Sequence, residues 1–138
     1  MIGVNVSDRD SAVQDLLASC HAAIYAYGVI AAYLSDADQA LDRIAIFRNK
    51  RDELLTWFGN NGLAPIPARA AYQLDSEITD DATAKALGVL LEDRACAHWS
   101  QALFYLPSQL QDTESKFLQT CASRSFEWSG LAKPFFAS

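Results

Sequence analysis

Residues 13–34 have the sequence VQDLLASCHAAIYAYGVIAAYL and carry the clearest helical pattern of the chain. Apolar and small side chains recur there at alternating steps of four and three residues, at Val13, Leu17, Cys20, Ile24, Tyr27, Ala31 and Leu34. This spacing puts all of them on one side of an α-helix of about six turns. The stretch therefore predicts a long helix with one buried face.

Three further segments repeat this periodicity, and no stretch alternates apolar and polar residues in the manner of a strand. The four patterns predict helices over residues 8–34, 36–58, 80–106 and 109–129. Gly59 and Gly62 are expected to end the second helix, and Thr79, Asp80 and Asp81 supply a cap and two acids for the start of the third. Pro107 separates the third helix from the fourth. The sequence thus predicts an all-α protein.

The connections between these helices differ in length, and this constrains the topology. Helices one and two, and helices three and four, are separated by only a few residues, so each pair must be antiparallel. Residues 60–79 can run the length of a helix of about 22 residues, roughly 33 Å. Residues 1–138 therefore fit a single domain: a ferritin-like four-helix bundle, with up-down pairs joined by one long crossover between helices two and three.

Acidic residues outnumber basic ones, with 17 Asp and Glu against 11 Lys and Arg and a formal net charge of −6. Proteins that bind nucleic acid usually present a basic face, because contacts to phosphate dominate their affinity. The negative net charge also disfavours binding to anionic membrane surfaces. We therefore expect no nucleic acid partner.

The N-terminus and the cysteines predict a cytoplasmic protein. Residues 1–17 contain acids and lack the basic start of a signal peptide. The weakly polar stretch 22–34 is too short for a bilayer span, which takes about 20 residues, so we expect no membrane insertion. Cys20, Cys96 and Cys121 are an odd number, each within a helical pattern. This favours three reduced, buried thiols in a reducing compartment.

Four segments carry a family resemblance: CHAAIYAYGVIAAYL (20–34), RNKRDELL (48–55), PARAAYQLDSEITDDATAKALGVLLED (67–93) and FEWSGLAKPFF (126–136). Over residues 12–136 the chain resembles the actinobacterial ferritin-like domain family of unknown function. The resemblance implies a four-helix ferritin-like bundle that self-associates and has no established activity. One position departs from the family pattern, because the residue before His21 tends to be Glu in the family and is Cys20 here.

A di-iron or di-manganese site in such a bundle requires a Glu from each of two helices and a Glu-x-x-His motif from each of the other two. None of the five glutamates has a histidine three residues later, and the chain has two histidines. We therefore predict no di-iron site and no cofactor, and favour a protein without enzymatic activity. The alternative is a metal-binding or redox protein with an atypical site built from Cys20, Glu92, His98, Glu114 and Cys121.

Charged residues near the predicted inward faces suggest a polar cluster in the core, formed by Arg51, Glu92 and Arg124. An unpaired charge in a core costs several kcal/mol. We therefore hypothesise that Glu92 pairs with Arg51 or Arg124, where a metal-binding relative would hold its ions. The alternative is that these long side chains extend to solvent. His98 lies on the stripe of the third helix, which predicts a hydrogen-bonded core imidazole.

Large aromatic residues are numerous for so small a core, and this predicts an apolar surface patch. The candidates for the patch are Tyr25, Trp99, Trp128, Phe135 and Phe136. Such patches commonly mark homodimer interfaces. The sequence therefore favours a non-catalytic module that dimerises and binds a small apolar ligand or another protein.

Overall fold

The computed structural model describes residues 6–129. All regular secondary structure within them is helical, and the helices are α1 (Val6–Tyr33), α2 (Asp38–Asn60), α3 (Asp81–Leu103), α4 (Ser108–Gln119) and α5 (Cys121–Ser129). These helices pack into a bundle. The all-α prediction is thus confirmed.

Local sequence accounts for two of the helix boundaries. The Asp80 carboxylate accepts a hydrogen bond from the backbone N–H of Thr83 at 2.8 Å, and the Thr83 hydroxyl accepts one from the N–H of Asp80 at 3.1 Å. This reciprocal capping stabilises the first turn of α3. After α2 the chain turns at Gly62, whose φ of 63° is left-handed and carries no steric cost for glycine.

The fourth predicted helix is interrupted at Thr120. The N–H of Thr120 bonds to the carbonyl of Phe117, three residues earlier, at 3.3 Å, and the Thr120 hydroxyl bonds to the same carbonyl at 3.0 Å. The N–H of Arg124 then bonds to the carbonyl of Thr120 at 3.0 Å and restores the α-helical step. Two helices, α4 and α5, therefore occupy the range predicted for one.

Contacts between aromatic and basic side chains show how α1 and α2 are oriented. The guanidinium of Arg9 lies 5.3 Å from the ring centre of Trp57. The rings of Tyr27 and Phe47 stack with their centroids 5.8 Å apart. Because the start of α1 meets the end of α2, the two helices are antiparallel.

A disulfide bond between Cys96 and Cys121 ties α3 to the start of α5, with the Cα atoms 5.7 Å apart. Trp128, late in α5, packs on Gly88, early in α3. The helices α3 and α5 are therefore antiparallel. The prediction of three reduced thiols is wrong, because only Cys20 is a free, buried thiol. The spacing of the cysteines does not reveal the bond, since packing alone brings Cys96 and Cys121 together.

The remaining seam of the bundle joins α1 to α3. Ser35, just after α1, donates hydrogen bonds from its N–H and its hydroxyl to the Asp81 carboxylate at 3.0 and 3.1 Å. Earlier in α1, Tyr27 donates to Glu92, which lies later in α3. The helices α1 and α3 are thus antiparallel, so α2 and α3 run in the same direction.

Residues 61–80 connect these two parallel helices without a helix or strand of their own, and we call them the strap. The strap is fixed to α1. The side-chain amide of Gln14 donates to the carbonyl of Ala64 at 2.8 Å and accepts from the N–H of Ile66 at 2.9 Å. The Nε2 atom of His21 lies 3.1 Å from the carbonyl oxygen of Ile66. The strap therefore follows α1 as an ordered segment.

The apolar core lies between the helices. Its largest fully buried apolar side chains are Trp99, Tyr27, Phe47, Phe58, Leu16, Leu17, Ile30, Leu54, Leu87 and Val13. Each stabilises the fold by about 2 kcal/mol relative to an exposed position. His98, predicted to lie on the buried face of α3, is half-buried, and the next residue, Trp99, is buried instead; likewise Glu92 is buried and Leu91 half-buried.

By length and composition, residues Ser7–Tyr33 of α1 could cross a membrane, in contrast to the expectation drawn from stretch 22–34. In the bundle, the buried face of α1 packs against α2 and α3. Core helices of globular proteins meet the same criteria of length and hydropathy. The apolar residues of α1 here build the core.

Candidate functional site

The centre of the bundle holds a carboxylate surrounded by donors. Glu92 is fully buried. Its Oε2 accepts a hydrogen bond from Nε of Arg124 at 2.9 Å. Its Oε1 lies 3.3 Å from Nε of Arg43 and accepts a hydrogen bond from the Tyr27 hydroxyl at 2.5 Å. Arg43 and Arg124 are themselves buried. We call these four residues the Glu92 cluster.

The two arginines of the Glu92 cluster have further partners. Arg43 also pairs with Asp42, at 2.7 Å, and with Glu127. Arg124 donates from Nη1 to the carbonyl of Phe117 at 3.0 Å, and its guanidinium lies 4.0 Å from the centre of the Phe117 ring. The cluster thus joins α1, α2, α3 and α5 through one network of charges.

This network compensates for the burial of charge. A buried carboxylate without partners costs several kcal/mol, and here two guanidiniums and a phenol face Glu92. Burial, and next the charge of Glu92, raise the pKa of Tyr27 well above its ordinary value. The Tyr27 hydroxyl therefore stays protonated and keeps donating to Glu92. Both carboxylate oxygens of Glu92 are occupied by donors of the chain itself.

A second buried carboxylate, Glu114 of α4, pairs with a lysine. Nζ of Lys50 lies 3.2 Å from Oε1 of Glu114, 3.3 Å from Oε2 of Glu53 and 3.1 Å from the carbonyl oxygen of Thr113. Burial raises the pKa of Glu114 to about 7 despite the opposing charge of Lys50. Burial, and next the charge of Glu114, also raise the pKa of the Cys20 thiol. A protonated thiol is a poor nucleophile and a poor metal ligand.

These donors do not fit the metal site that the ferritin-like resemblance suggests. In the described part of the chain, no group of three or more His, Cys, Asp or Glu side chains is arranged to hold a metal ion. Glu92 and Glu114 have cations against them rather than further ligands, whereas hard metal ions require several converging oxygens. The other three residues considered for the alternative site are each in a different situation. Cys121 is in the disulfide, the Cys20 thiol is protonated, and His98 lies at the edge of the core.

The observed Glu92 cluster differs from the one hypothesised from sequence. Arg124 lies against Glu92 and was one of the two partners considered. Arg51, the other, is partly exposed and donates from Nε to Asp52 at 3.0 Å. Its expected place is taken by Arg43, which lies two helical turns earlier in α2.

Arg43 and Lys50 are the site residues that the sequence analysis missed. A signal for them exists, because Arg43, Phe47, Lys50 and Leu54 follow each other at steps of four, three and four residues, the spacing of a buried helix face. Long basic side chains on such a face usually extend their charged ends to solvent. The spacing therefore indicates that Arg43 and Lys50 are buried only when a carboxylate on a neighbouring helix is known to face them.

The aromatic residues predicted for a surface patch lie mainly inside the molecule. Trp99 and Trp128 are 0% and 3% exposed and belong to the core, so they cannot contribute to a surface, which corrects that prediction. Tyr25 is half-buried and contacts the strap. Phe135 and Phe136 lie outside the described residues.

A groove runs between α1 and α3 along the strap. Three adjoining cavities of about 220, 440 and 170 Å³ follow it, and we call them the inner, middle and outer cavities. Ala22, Tyr72 and Arg94 line both the inner and the middle cavity. Asp15 and His98 line both the middle and the outer cavity. These shared residues establish the order of the three cavities along the groove.

Residues 12–136 match a known protein family. The model of a domain of unknown function, DUF4439, matches residues 12–136. The chain belongs to the DUF4439 family. No curated protein matches it.

A solved structure resembles this DUF4439 chain over nearly its full length. It is the crystal structure of a conserved hypothetical protein, rv2844, from Mycobacterium tuberculosis, an actinobacterium. The two are 25% identical with a TM-score of 0.84, and the match covers 91% of this chain and 97% of the other. The comparison supports a shared helical fold in a family whose function is unassigned.

The groove of this DUF4439 chain has the character of a ligand site. Small residues of α1, among them Ala22, Ala23 and Ala26, line the inner cavity opposite Leu87 and Leu91 of α3. Polar side chains are concentrated in the middle cavity, where Arg69, Arg94 and His98 are among the lining residues. Pockets for small molecules are typically apolar with a few placed polar groups and have volumes of about 300–1,000 Å³. The middle cavity, at about 440 Å³, falls within this range.

Proposed function

We propose that this chain is a ferritin-like bundle without metal chemistry, which binds a small ligand in the groove between α1, α3 and the strap. The observation that carries the proposal is the pairing of Glu92 with Arg43 and Arg124. Cations of the chain occupy the central position at which a bundle of this type would hold metal ions.

The topology supports the ferritin-like part of the proposal. The helices α1 and α2 are antiparallel and joined by residues 34–37, and α3 and α5 are antiparallel with α4 between them in the chain. The parallel helices α2 and α3 are joined by the 61–80 strap. One long crossover between two antiparallel pairs is the connectivity of ferritin-like bundles.

The groove supports the binding part. It is lined by apolar side chains and is bordered by the strap, which hydrogen bonds hold to α1. Asp15, Ser19 and His98 line its middle cavity, but within residues 6–129 no hydrogen bond joins them and Nε2 of His98 has no partner. A binding role thus agrees with its chemistry better than a catalytic one.

Metal content tests the first half of the proposal. The purified chain is incubated with ferrous iron, manganese and zinc in turn, separated from free metal and analysed by mass spectrometry. We expect far less than one equivalent of each. Retention of a full equivalent, lost in both Glu92→Gln and Glu114→Gln, would contradict the proposal.

Titration with an apolar probe tests the second half. Phenylbutanol is added while backbone amides are followed by NMR, and we expect the largest shifts at the groove, including Ala22 and Leu91. Ala22→Phe fills the junction of two cavities and should abolish these shifts. Ala32→Phe, at an exposed position of the same helix, is the matched control and should preserve them. Equal binding by both variants would refute a site in the groove.

The predicted homodimer and cytoplasmic location stay predictions. Phe104 and Tyr105, 68% and 43% exposed just after α3, form an exposed aromatic pair suited to a dimer surface. Sedimentation velocity gives the oligomeric state. The Cys96–Cys121 bond argues against a cytoplasmic location, since disulfides are rare in reducing compartments.

A further inference from the structure

We infer that the groove takes a small amphipathic carboxylate, with its apolar tail in the inner cavity and its carboxylate held by Arg69 and Arg94 at the middle cavity. This inference rests on the proposed function and adds the chemical class of the ligand. It follows from the hydrogen-bond donors, the charges and the cavity size along the groove.

Unused donors are concentrated at the middle cavity. Arg69 of the strap and Arg94 of α3 both line it. The guanidinium of Arg69 has no hydrogen bond or ion pair to any other residue between 6 and 129, and only its backbone N–H is used, by Tyr72. Arg94 uses Nη1 alone, in an ion pair with Asp75. Because a guanidinium presents five N–H groups suited to bidentate binding, this cavity favours a carboxylate.

The two acidic residues of the groove do not reverse this preference. Asp75 is already paired with Arg94. Asp15 is exposed and lines the middle and outer cavities but not the inner one. Arg94 lines the inner and middle cavities, at the opposite end of the middle cavity from the outer one. A head group beside Arg94 therefore lies on the cationic side, away from Asp15.

The inner cavity limits the size of the apolar tail. Its volume is about 220 Å³, and apolar side chains such as Ala26, Phe47 and Leu87 line it. An apolar cavity of about 150 Å³ in another protein holds a benzene ring. The inner cavity thus accommodates a phenyl ring with a short aliphatic chain. Since Ala22 and Arg94 line both cavities, such a tail connects directly to a head in the middle cavity.

Three probes that share one tail test the inference on the intact chain: phenylbutyrate, phenylbutanol and phenylbutylamine. Their affinities are measured by isothermal titration calorimetry. We expect the acid to bind about tenfold more tightly than the alcohol, because its head makes charge-assisted hydrogen bonds, and the amine to bind most weakly. Added salt should weaken the binding of phenylbutyrate and leave the binding of phenylbutanol unchanged.

Substitution of one arginine identifies the group that holds the head. Arg69→Gln should lower the affinity for phenylbutyrate several-fold, toward that of phenylbutanol because Arg94 remains, without changing the affinity for phenylbutanol. Arg48→Gln is the matched control, since Arg48 is an exposed arginine of α2 that lines none of the three cavities. Thermal melting of both variants checks that each is folded.

The possible results separate this inference from the function on which it rests. If the alcohol binds as tightly as the acid, or if Arg69→Gln has no effect on the acid, the carboxylate inference fails and the groove remains a ligand site. If the amine binds most tightly, the inference also fails, because Asp15 or Asp75 then holds the charged head group in place of the arginines. If none of the three probes binds, the proposed function fails as well.

Discussion

Glu114 is a carboxylate whose ionisation is opposed by burial and favoured by Lys50, 3.2 Å away. Burial dominates, so that its pKa is about 7 in the folded chain against an ordinary value of 4.5. A raised pKa means that the folded state binds the proton more tightly than the unfolded state. The resulting stabilisation is complete below about pH 4.5 and is lost as the pH rises through about 7.

Glu114→Gln removes this titration, because the amide carries no charge at any pH. We expect the free energy of unfolding of the variant, relative to the wild type, to rise by about 2–3 kcal/mol between pH 5 and pH 8. Urea unfolding at both pH values measures it. Glu77→Gln, at an exposed position, is the control and should show no such change. A parallel pH dependence in all three proteins would contradict a raised pKa.

Gly88 and Gly28 are both inside helices, but their surroundings differ. A Cβ added at Gly88 would lie 2.5 Å from Cδ2 of Trp128, whereas one added at Gly28 meets no atom within 4 Å. We expect Gly88→Ala to lower the free energy of unfolding by about 1–3 kcal/mol through overpacking. Gly28→Ala should raise it by about 0.5–1 kcal/mol, the helix propensity of alanine over glycine. Denaturant unfolding measures both effects, and stabilisation of equal size in the two variants would show that Trp128 moves aside without cost.

At the scale of elements, the strap depends on Gln14. Replacement by leucine removes the hydrogen bonds to Ala64 and Ile66. We expect Gln14→Leu to speed amide hydrogen exchange at Ile66 and to lower the free energy of unfolding by about 1 kcal/mol. Gln119→Leu, at an exposed position of α4, is the control. Unchanged exchange at Ile66 would mean that other contacts fix the strap.

The elements also show what sequence alone can predict. Helix positions follow from the spacing of apolar residues and from breaks such as Pro107, because both act locally. The interruption at Thr120 was not predicted, since the 4-3-4 spacing of Leu110, Glu114, Phe117 and Cys121 runs through it without a change.

The polar centre was less accessible to prediction than the helices. The burial of Glu92 could be suspected from its position, but the choice between Arg51 and Arg43 depends on the rotation of α2 against α3. That rotation is a property of packing rather than of either helix. For the same reason, the predicted buried face of α3 contains His98, whereas the structure buries the next residue, Trp99.

At the scale of the whole molecule, the Cys96–Cys121 disulfide closes a loop of 25 residues between α3 and α5. A loop of this length corresponds to a stabilisation of about 3.5 kcal/mol in the chain-entropy model. We expect a double variant, Cys96→Ser with Cys121→Ser, to unfold at correspondingly lower urea. A reductant should lower the stability of the wild type to that of the variant and leave the variant unchanged. A wild type insensitive to full reduction would contradict this role.

The arrangement of the helices predicts what happens when the backbone is cut within the strap. Backbone packing joins α1 to α2 on one side of the strap and α3 to α4 and α5 on the other, while the α1–α3 seam and the side chains of Arg43 and Lys50 link the halves. A backbone cut near Pro65 and Pro67 leaves both helical hairpins whole. Two separately expressed fragments should therefore reassemble by complementation when they are mixed.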